Sequence, residues 1–171
     1  MNFRRKLIAG LAGVLVAPLL AVVLPTGTAS AHGYVSSPPS RQAQCASHAV
    51  SCGDIQWEPQ SVEAPKGSMA CNGNGARFAE LNNDGKGWKA TAVGQSVTFT
   101  WTFTARHRTR DYEYFVNGRK VATFPGNNQQ PPASVSHKVN LGAKGKLKVL
   151  ARWNIGDTAM AFYSCIDVQA S

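Results

Sequence analysis

The sequence predicts an all-β protein, an antiparallel β-sandwich, and three observations carry that prediction. From Ser96 onward Val97, Phe99, Trp101 and Phe103 alternate with Thr98, Thr100, Thr102 and Thr104, the period of a half-buried strand. Asn117-Gly118 separates two runs rich in aromatic and β-branched residues, and this pair favours a type I′ hairpin turn, whose central residues both need positive φ. Glycine and proline then divide the remaining apolar runs at short intervals, as in a sandwich.

Taken from the N-terminus, the chain opens on Arg4, Arg5 and Lys6, an apolar run over 7–24 broken by Pro18, and a small-residue stretch closing on Ala29-Ser30-Ala31. This is the pattern of a secretory signal peptide spanning 1–31. An uncleaved membrane anchor is the competing reading of such a run, and the small-residue cleavage site argues against it. Cleavage after Ala31 leaves a single domain, 32–171, beginning at His32. With the three leader cations removed, fifteen basic and nine acidic side chains remain, a net charge of +6. No second apolar run is long enough to hold the chain in a membrane, so the protein is expected to be secreted and extracellular, with no membrane partner.

The segment 33–94 reads as mostly irregular. It holds Pro38, Pro39, Pro59 and Pro65 and the run Asn72-Gly73-Asn74-Gly75, and only 76–81 has a helix-forming composition, enough for one or two turns. A long irregular segment inside a compact domain is usually functional. After the strand that starts at Ser96, the hairpin pairs 112–116 with 120–124, and further strands are expected at 135–141, 147–155 and 161–168. No internal repeat or low-complexity tract marks a second module.

The chain has 171 residues, 43% of them hydrophobic and 16% charged. That suffices for one core and excludes both a multidomain enzyme and a disordered tail protein. Four cysteines in an exported chain make two disulfides most simply. Cys45 and Cys52 flank a short polar segment and form a natural local bridge, which leaves Cys71 with Cys165. A zinc site is the competing use, but no C-x-x-C spacing occurs.

Candidate chemistry begins at the new N-terminus. An N-terminal histidine offers an α-amine and an imidazole Nδ1 that together chelate a metal, and the amine's ordinary pKa near 8 lets a divalent ion displace its proton at neutral pH. A second imidazole completes three nitrogens, a set suited to Cu(II). His107 is the natural partner because it follows the strand that starts at Ser96. Spacing alone does not decide between this and two solvated histidines. His48 and His137 read as ordinary surface histidines. Arg106, Arg108 and Arg110 with Lys144, Lys146 and Lys148 suggest polyanion binding, yet such alternation more often marks a solvated strand face, and no nucleic-acid partner is expected. Glu58 and Glu63 lie in the irregular segment without an evident paired acid, which disfavours a hydrolase.

Four motifs go further. His32-Gly33-Tyr34-Val35 with Ser37-Pro38 and Ser40-Arg41, Gln56-Trp57-Glu58-Pro59-Gln60-Ser61-Val62-Glu63, Thr104-Ala105-Arg106-His107, and Trp153-Asn154-Ile155-Gly156-Asp157-Thr158 running into Ala161-Phe162-Tyr163 occur in order. With them the chain resembles the bacterial lytic polysaccharide monooxygenases of auxiliary activity family 10, formerly described as chitin-binding proteins, over essentially all of 32–171. The resemblance implies a fibronectin III-like or immunoglobulin-like sandwich with a flat face around one copper ion, held by a brace of His32 and His107. By position, Phe162 matches the aromatic at an axial site, Ala105 the small residue near the other axial face, Glu63 the acid beside the copper, and Trp153 a buried indole beneath it.

The same resemblance implies an oxidative enzyme that takes electrons from an external donor, consumes O2 or H2O2, and hydroxylates a sugar carbon at the glycosidic bond. Trp57, Ser61, Glu63, Asp157 and Thr158 match the substrate face of chitin-active relatives, which points to insoluble chitin and C1 oxidation. A free flat face implies a monomer. Two departures stand out: the mature chain is short, and Met160 replaces an asparagine often found there. The alternatives are a non-catalytic chitin-binding protein and an exported copper carrier.

Overall fold

The structure is a computed structural model that describes residues 31–171. The signal-peptide reading concerns the chain up to the Ala31 bond and otherwise lies outside the described residues. Nine strands form among the described residues, in chain order β1 (His32–Ser37), β2 (Glu63–Pro65), β3 (Thr91–Val93), β4 (Ser96–Ala105), β5 (Thr109–Val116), β6 (Arg119–Gln129), β7 (Ser134–Asn140), β8 (Gly145–Ile155) and β9 (Met160–Ala170). One sheet has the order β1-β4-β7; the other runs β2-β9-β8-β5-β6, with β3 also on β9. The β3–β9 pairing is parallel and the other ladders are antiparallel. The chain is thus an antiparallel β-sandwich, as its sequence pattern requires.

Alternation in β4 sends Val97, Phe99, Trp101 and Phe103 into the space between the sheets, against Tyr112 and Tyr114 of β5, Trp153 of β8 and Phe162 of β9. The hairpin turn forms as expected, with Asn117 at φ 50° and Gly118 at φ 80°. β9 is buried on both faces. Phe162, Ile166 and Val168 join the core between the sheets, whereas Ala161, Tyr163 and Cys165 meet a second cluster with Ile55, Val62, Leu81 and Trp88. Both expected disulfides are present, Cys45–Cys52 and Cys71–Cys165, and the second fastens the long N-terminal segment onto β9.

Three expectations are corrected. The segment 33–94 is more ordered than its composition suggests, since it contributes β1, β2 and β3, and Glu63 begins β2 rather than lying in a loop. The helix is not at 76–81: Phe78 takes a left-handed conformation (φ 61°, ψ 34°) and only a 3-10 turn, Ala79–Asn82, follows. The α-helix, α1, is Arg41–Ala46, with Ser40 Oγ capping Ala43 N. It docks through polar side chains, which is why it shows no apolar period. The Arg41 guanidinium donates to Asp167 (Nε–Oδ2 2.8 Å, Nη2–Oδ1 3.0 Å) and to Leu81 O (2.7 Å), and Gln42 Nε2 donates to Tyr163 O and Ser164 Oγ, both 2.8 Å.

His137 is the third correction, because it is only 8% exposed. It sits in β7 in phase with Val135 and Val139, so its ring enters the core. There it stacks on Phe124 at 4.2 Å, and Tyr114 Oη lies 2.8 Å from Nδ1. Burial pushes its pKa down to about 4.

Candidate metal centre

His32 and His107 come to one end of the sandwich through the pairing of β1 with β4. His32 lies opposite Ala105 in that ladder, so His107 follows two residues beyond, in the link between β4 and β5. Gly33 keeps the strand close: its N–H donates to Gln60 O at 3.1 Å, and a Cβ there would meet the Phe103 ring at 2.6 Å. The link itself is pinned from both sides. Thr109 Oγ1 donates to His107 O (3.2 Å) and accepts from Trp153 Nε1 (2.7 Å), while Gly156 N donates to Arg108 O (2.7 Å). Thr109 is a positioning residue that sequence reasoning missed. It stands at the start of β5 and is almost fully buried, and the buried threonine hydroxyl between a Trp and a strand end was the available signal.

Beneath the histidines lies an aromatic floor. Phe162 is wholly buried, its ring centroid 6.3 Å from that of His32 and 5.1 Å from that of Trp153. Glu63 faces Phe162 across the β2–β9 ladder. Its carboxylate is half-buried and Oε1 has no hydrogen-bond partner among the described residues. Burial raises the Glu63 pKa, and the charge of His107 draws it partly back. An acceptor buried without a donor is costly unless a ligand or water supplies one.

The rim is polar with one exposed aromatic. His107 Nε2 hydrogen-bonds Asp157 Oδ1 at 2.7 Å, and Asp157 is exposed on the β8–β9 turn. Thr158 is turned inward: its hydroxyl accepts from Met160 N (3.1 Å) and its carbonyl accepts from Lys66 Nζ (2.5 Å). On the other side Trp57 is 74% exposed, and Ser61, half-buried, donates its N–H to Glu58 O at 2.9 Å. The structure therefore brings His32, His107, Phe162, Glu63, Ala105, Trp153 and Asp157 to one end. Trp57 and Ser61 lie on the segment that leads into Glu63.

The donor chemistry fits a copper ion. Among the described residues no group of three His, Cys, Asp or Glu side chains could hold a metal, so two imidazoles need a third donor from the backbone. The His32 nitrogen is a peptide nitrogen while Ala31 remains attached, and it becomes an amine once that bond is cut. Two imidazoles and an amine form a nitrogen-only set of the kind Cu(II) favours.

Comparison with known proteins gives a consistent result. Residues 32–168 match a family described as "Lytic polysaccharide mono-oxygenase, cellulose-degrading". A lytic chitin monooxygenase from Streptomyces ambofaciens is 55% identical over 161 residues, covering 94% of each chain; other curated relatives run well beyond the matched segment. A Jonesia denitrificans lytic polysaccharide monooxygenase superposes with a TM-score of 0.80 at 48% identity, covering 82% of this chain and 100% of that one. A more distant Bacillus amyloliquefaciens CBM33 protein, solved in complex with Cu(I), matches with a TM-score of 0.70 at 25% identity over 82% of this chain and 100% of its own.

Proposed function

Because the chain belongs to the lytic polysaccharide monooxygenases of auxiliary activity family 10, enzymes that cleave polysaccharides oxidatively, we propose that it acts on crystalline chitin through one copper ion held by His32 and His107. The observation that carries this reading is the convergence of those two histidines at an open end of the sandwich, with a buried Phe162 below and an exposed Trp57 beside. The chitin assignment draws on the 55% identical relative, whose name gives chitin as its substrate.

Secretion and removal of residues 1–31 are part of the proposal, since they supply the His32 amine as third nitrogen. Copper bound there would take electrons from an external donor and activate O2 or H2O2 for hydroxylation at the C1 carbon of the glycosidic bond. The protein's own residues do the positioning. Thr109 and Trp153 fix the backbone of His107, and Asp157 orients its ring through Nε2, a contact of the kind that sets which way an imidazole faces. Phe162 closes the underside to water. Ala105, opposite His32, leaves room that a larger side chain would fill. Glu63 presents an acceptor without a donor at the edge of the site, where it can hold a proton or a hydrogen-bond donor of the oxidant or the substrate.

Substrate contact falls to the rim. The Trp57 indole offers a face for stacking on a pyranose, while Ser61, Glu63 and Asp157 supply polar contacts. Thr158 serves by shaping the β8–β9 turn, its hydroxyl already being engaged by Met160 N.

The deciding experiment is mass spectrometry of soluble products from processed, copper-loaded protein incubated with β-chitin and ascorbate, with His107→Ala as control. Aldonic-acid chito-oligosaccharides that vanish in the control support the proposal. Firm chitin binding without oxidised product would indicate a non-catalytic binder, and copper binding with neither would indicate a carrier.

A further inference from the structure

Phe78 holds a left-handed conformation, which is strained for a bulky L-residue. The strain sits in a segment tied down at several points. Asn82 Oδ1 accepts from Cys71 N at 2.8 Å, and Asn72 Nδ2 donates to Gly75 O (2.9 Å) and to Arg77 O (3.0 Å). Arg77 therefore leaves a fixed backbone. Its guanidinium carbon stands 4.3 Å over the Phe78 ring, and both terminal nitrogens donate to Glu58, Nη1 to Oε2 at 3.2 Å and Nη2 to Oε1.

Arg77 is 59% exposed, and ion pairs at that exposure add little to stability. The Phe78 ring packs against the second apolar cluster, which holds its left-handed backbone in place, and an exposed ion pair built on that anchor points to a positioning task. What the pair positions is the chain beside Trp57. Glu58 follows Trp57 directly, its carbonyl accepts from Ser61 N, and Arg77 holds its carboxylate. On the opposite side the His48 ring meets the indole edge-on, with centroids 6.0 Å apart at 70°. The Trp57 backbone is held by its own N–H, which donates to Asp54 O at 3.0 Å, but the indole, 74% exposed, has few other means of being held.

We propose that Arg77 is a positioning residue for polysaccharide binding: it clamps Glu58 so that the Trp57 indole is already fixed as a stacking platform when sugar arrives. The proposal rests on the chitin reading above. A side chain that is ordered before binding loses less freedom on binding, so removing the clamp weakens adsorption roughly three- to tenfold without touching the copper ligands.

Trp57 provides its own signal. The other tryptophans, Trp88, Trp101 and Trp153, are buried, so emission quenched by acrylamide comes from Trp57. In the processed, copper-loaded protein, Arg77→Ala is expected to add a fast component to the decay of tryptophan anisotropy and to raise the dissociation constant for β-chitin three- to tenfold. Glu58→Gln should do the same, the double variant should lose no more than either single one, and Arg77→Lys should recover part of the loss. The Cu(II) electron paramagnetic resonance spectrum and the melting temperature should not move. Unchanged anisotropy in Arg77→Ala, or losses that add in the double variant, would overturn the clamp. A wild-type protein that fails to adsorb to β-chitin would instead overturn the substrate reading, and the anisotropy, read without sugar, distinguishes the two failures.

Discussion

His32 stands directly opposite Ala105 in the β1–β4 ladder, one residue out of register with the Gly33–Phe103 pair beside it, and from that pairing His107 acquires its place. A strand slip of one residue would send every side chain of β1 to the other face, which would separate the two histidines. The site is therefore a property of sheet register together with the shift between His32 and Gly33, which carries His32 one residue past the Gly33–Phe103 phase to face Ala105.

If the His32 amine is the third nitrogen, protein that retains Ala31 should bind Cu(II) at least a hundredfold more weakly than processed protein. An amide nitrogen does not replace a free amine at neutral pH. Isothermal titration calorimetry on both forms, with His107→Ala alongside, checks this, and equal affinity with Ala31 present would reject the brace.

His137 gives a pH dependence with a defined sign. Its pKa is about 4 in the folded protein against 6.5 ordinarily, so the unfolded chain takes up the proton first as the pH falls. Its contribution is fully present above about pH 6.5, declines as the pH falls toward 4, and amounts to no more than about 3 kcal/mol. Urea unfolding between pH 4 and 7 should show this slope in wild type and lose most of it in His137→Gln. Glu113 acts in a separate window. Burial opposes its charge, but hydrogen bonds from Arg152, Asn154 and Lys120 prevail and hold its pKa at about 2, so its contribution is lost only below about pH 4.5.

Arg41→Ala should destabilise the fold by about 3 to 5 kcal/mol, because it leaves the Asp167 carboxylate buried without its partner. Arg41→Met combined with Asp167→Leu should cost much less, since it removes both charges. Chemical denaturation of the two variants makes the comparison, and equal losses would show that packing rather than charge dominates.

The two disulfides should differ in worth. Cys71 and Cys165 are 94 residues apart, whereas Cys45 and Cys52 are 7 apart. Loop entropy then gives about 5 and about 2 kcal/mol respectively, as upper values. Paired Cys→Ser variants compared by urea unfolding test the order, which a purely local packing effect would not reproduce.

What could be read in advance follows a physical line. β4 and the Asn117-Gly118 hairpin were legible because one face of each is apolar and because a type I′ turn restricts its residues. β1 and β2 were not, being short, the first followed by Pro38 and Pro39 and the second ending on Pro65. α1 escaped notice because three of its four buried side chains, Arg41, Gln42 and Gln44, are polar and only Cys45 is not, the reverse of the usual pattern. His137 was misplaced although it keeps the phase of Val135 and Val139, a pattern that should have outweighed its polarity. The pairing of the cysteines was legible from the residues themselves. His32 and His107 stood out by their donor chemistry, but the resemblance was needed to prefer a metal pair over two solvated histidines, and it alone placed Phe162, Glu63 and Trp153. Thr109, whose hydroxyl holds the His107 carbonyl, carries no motif.

The outer edges of the larger sheet bear on how the molecule behaves in company. One edge is made by β2 and β3, three residues each, and β2 ends on Pro65; the other is β6, which contains Pro125 and left-handed Asn127 and Asn128. Neither offers a long run of unpaired N–H and C=O groups to a neighbouring chain. Along this sheet, crowded copies therefore find little to pair with, and its edges resist the growth of a shared sheet between molecules.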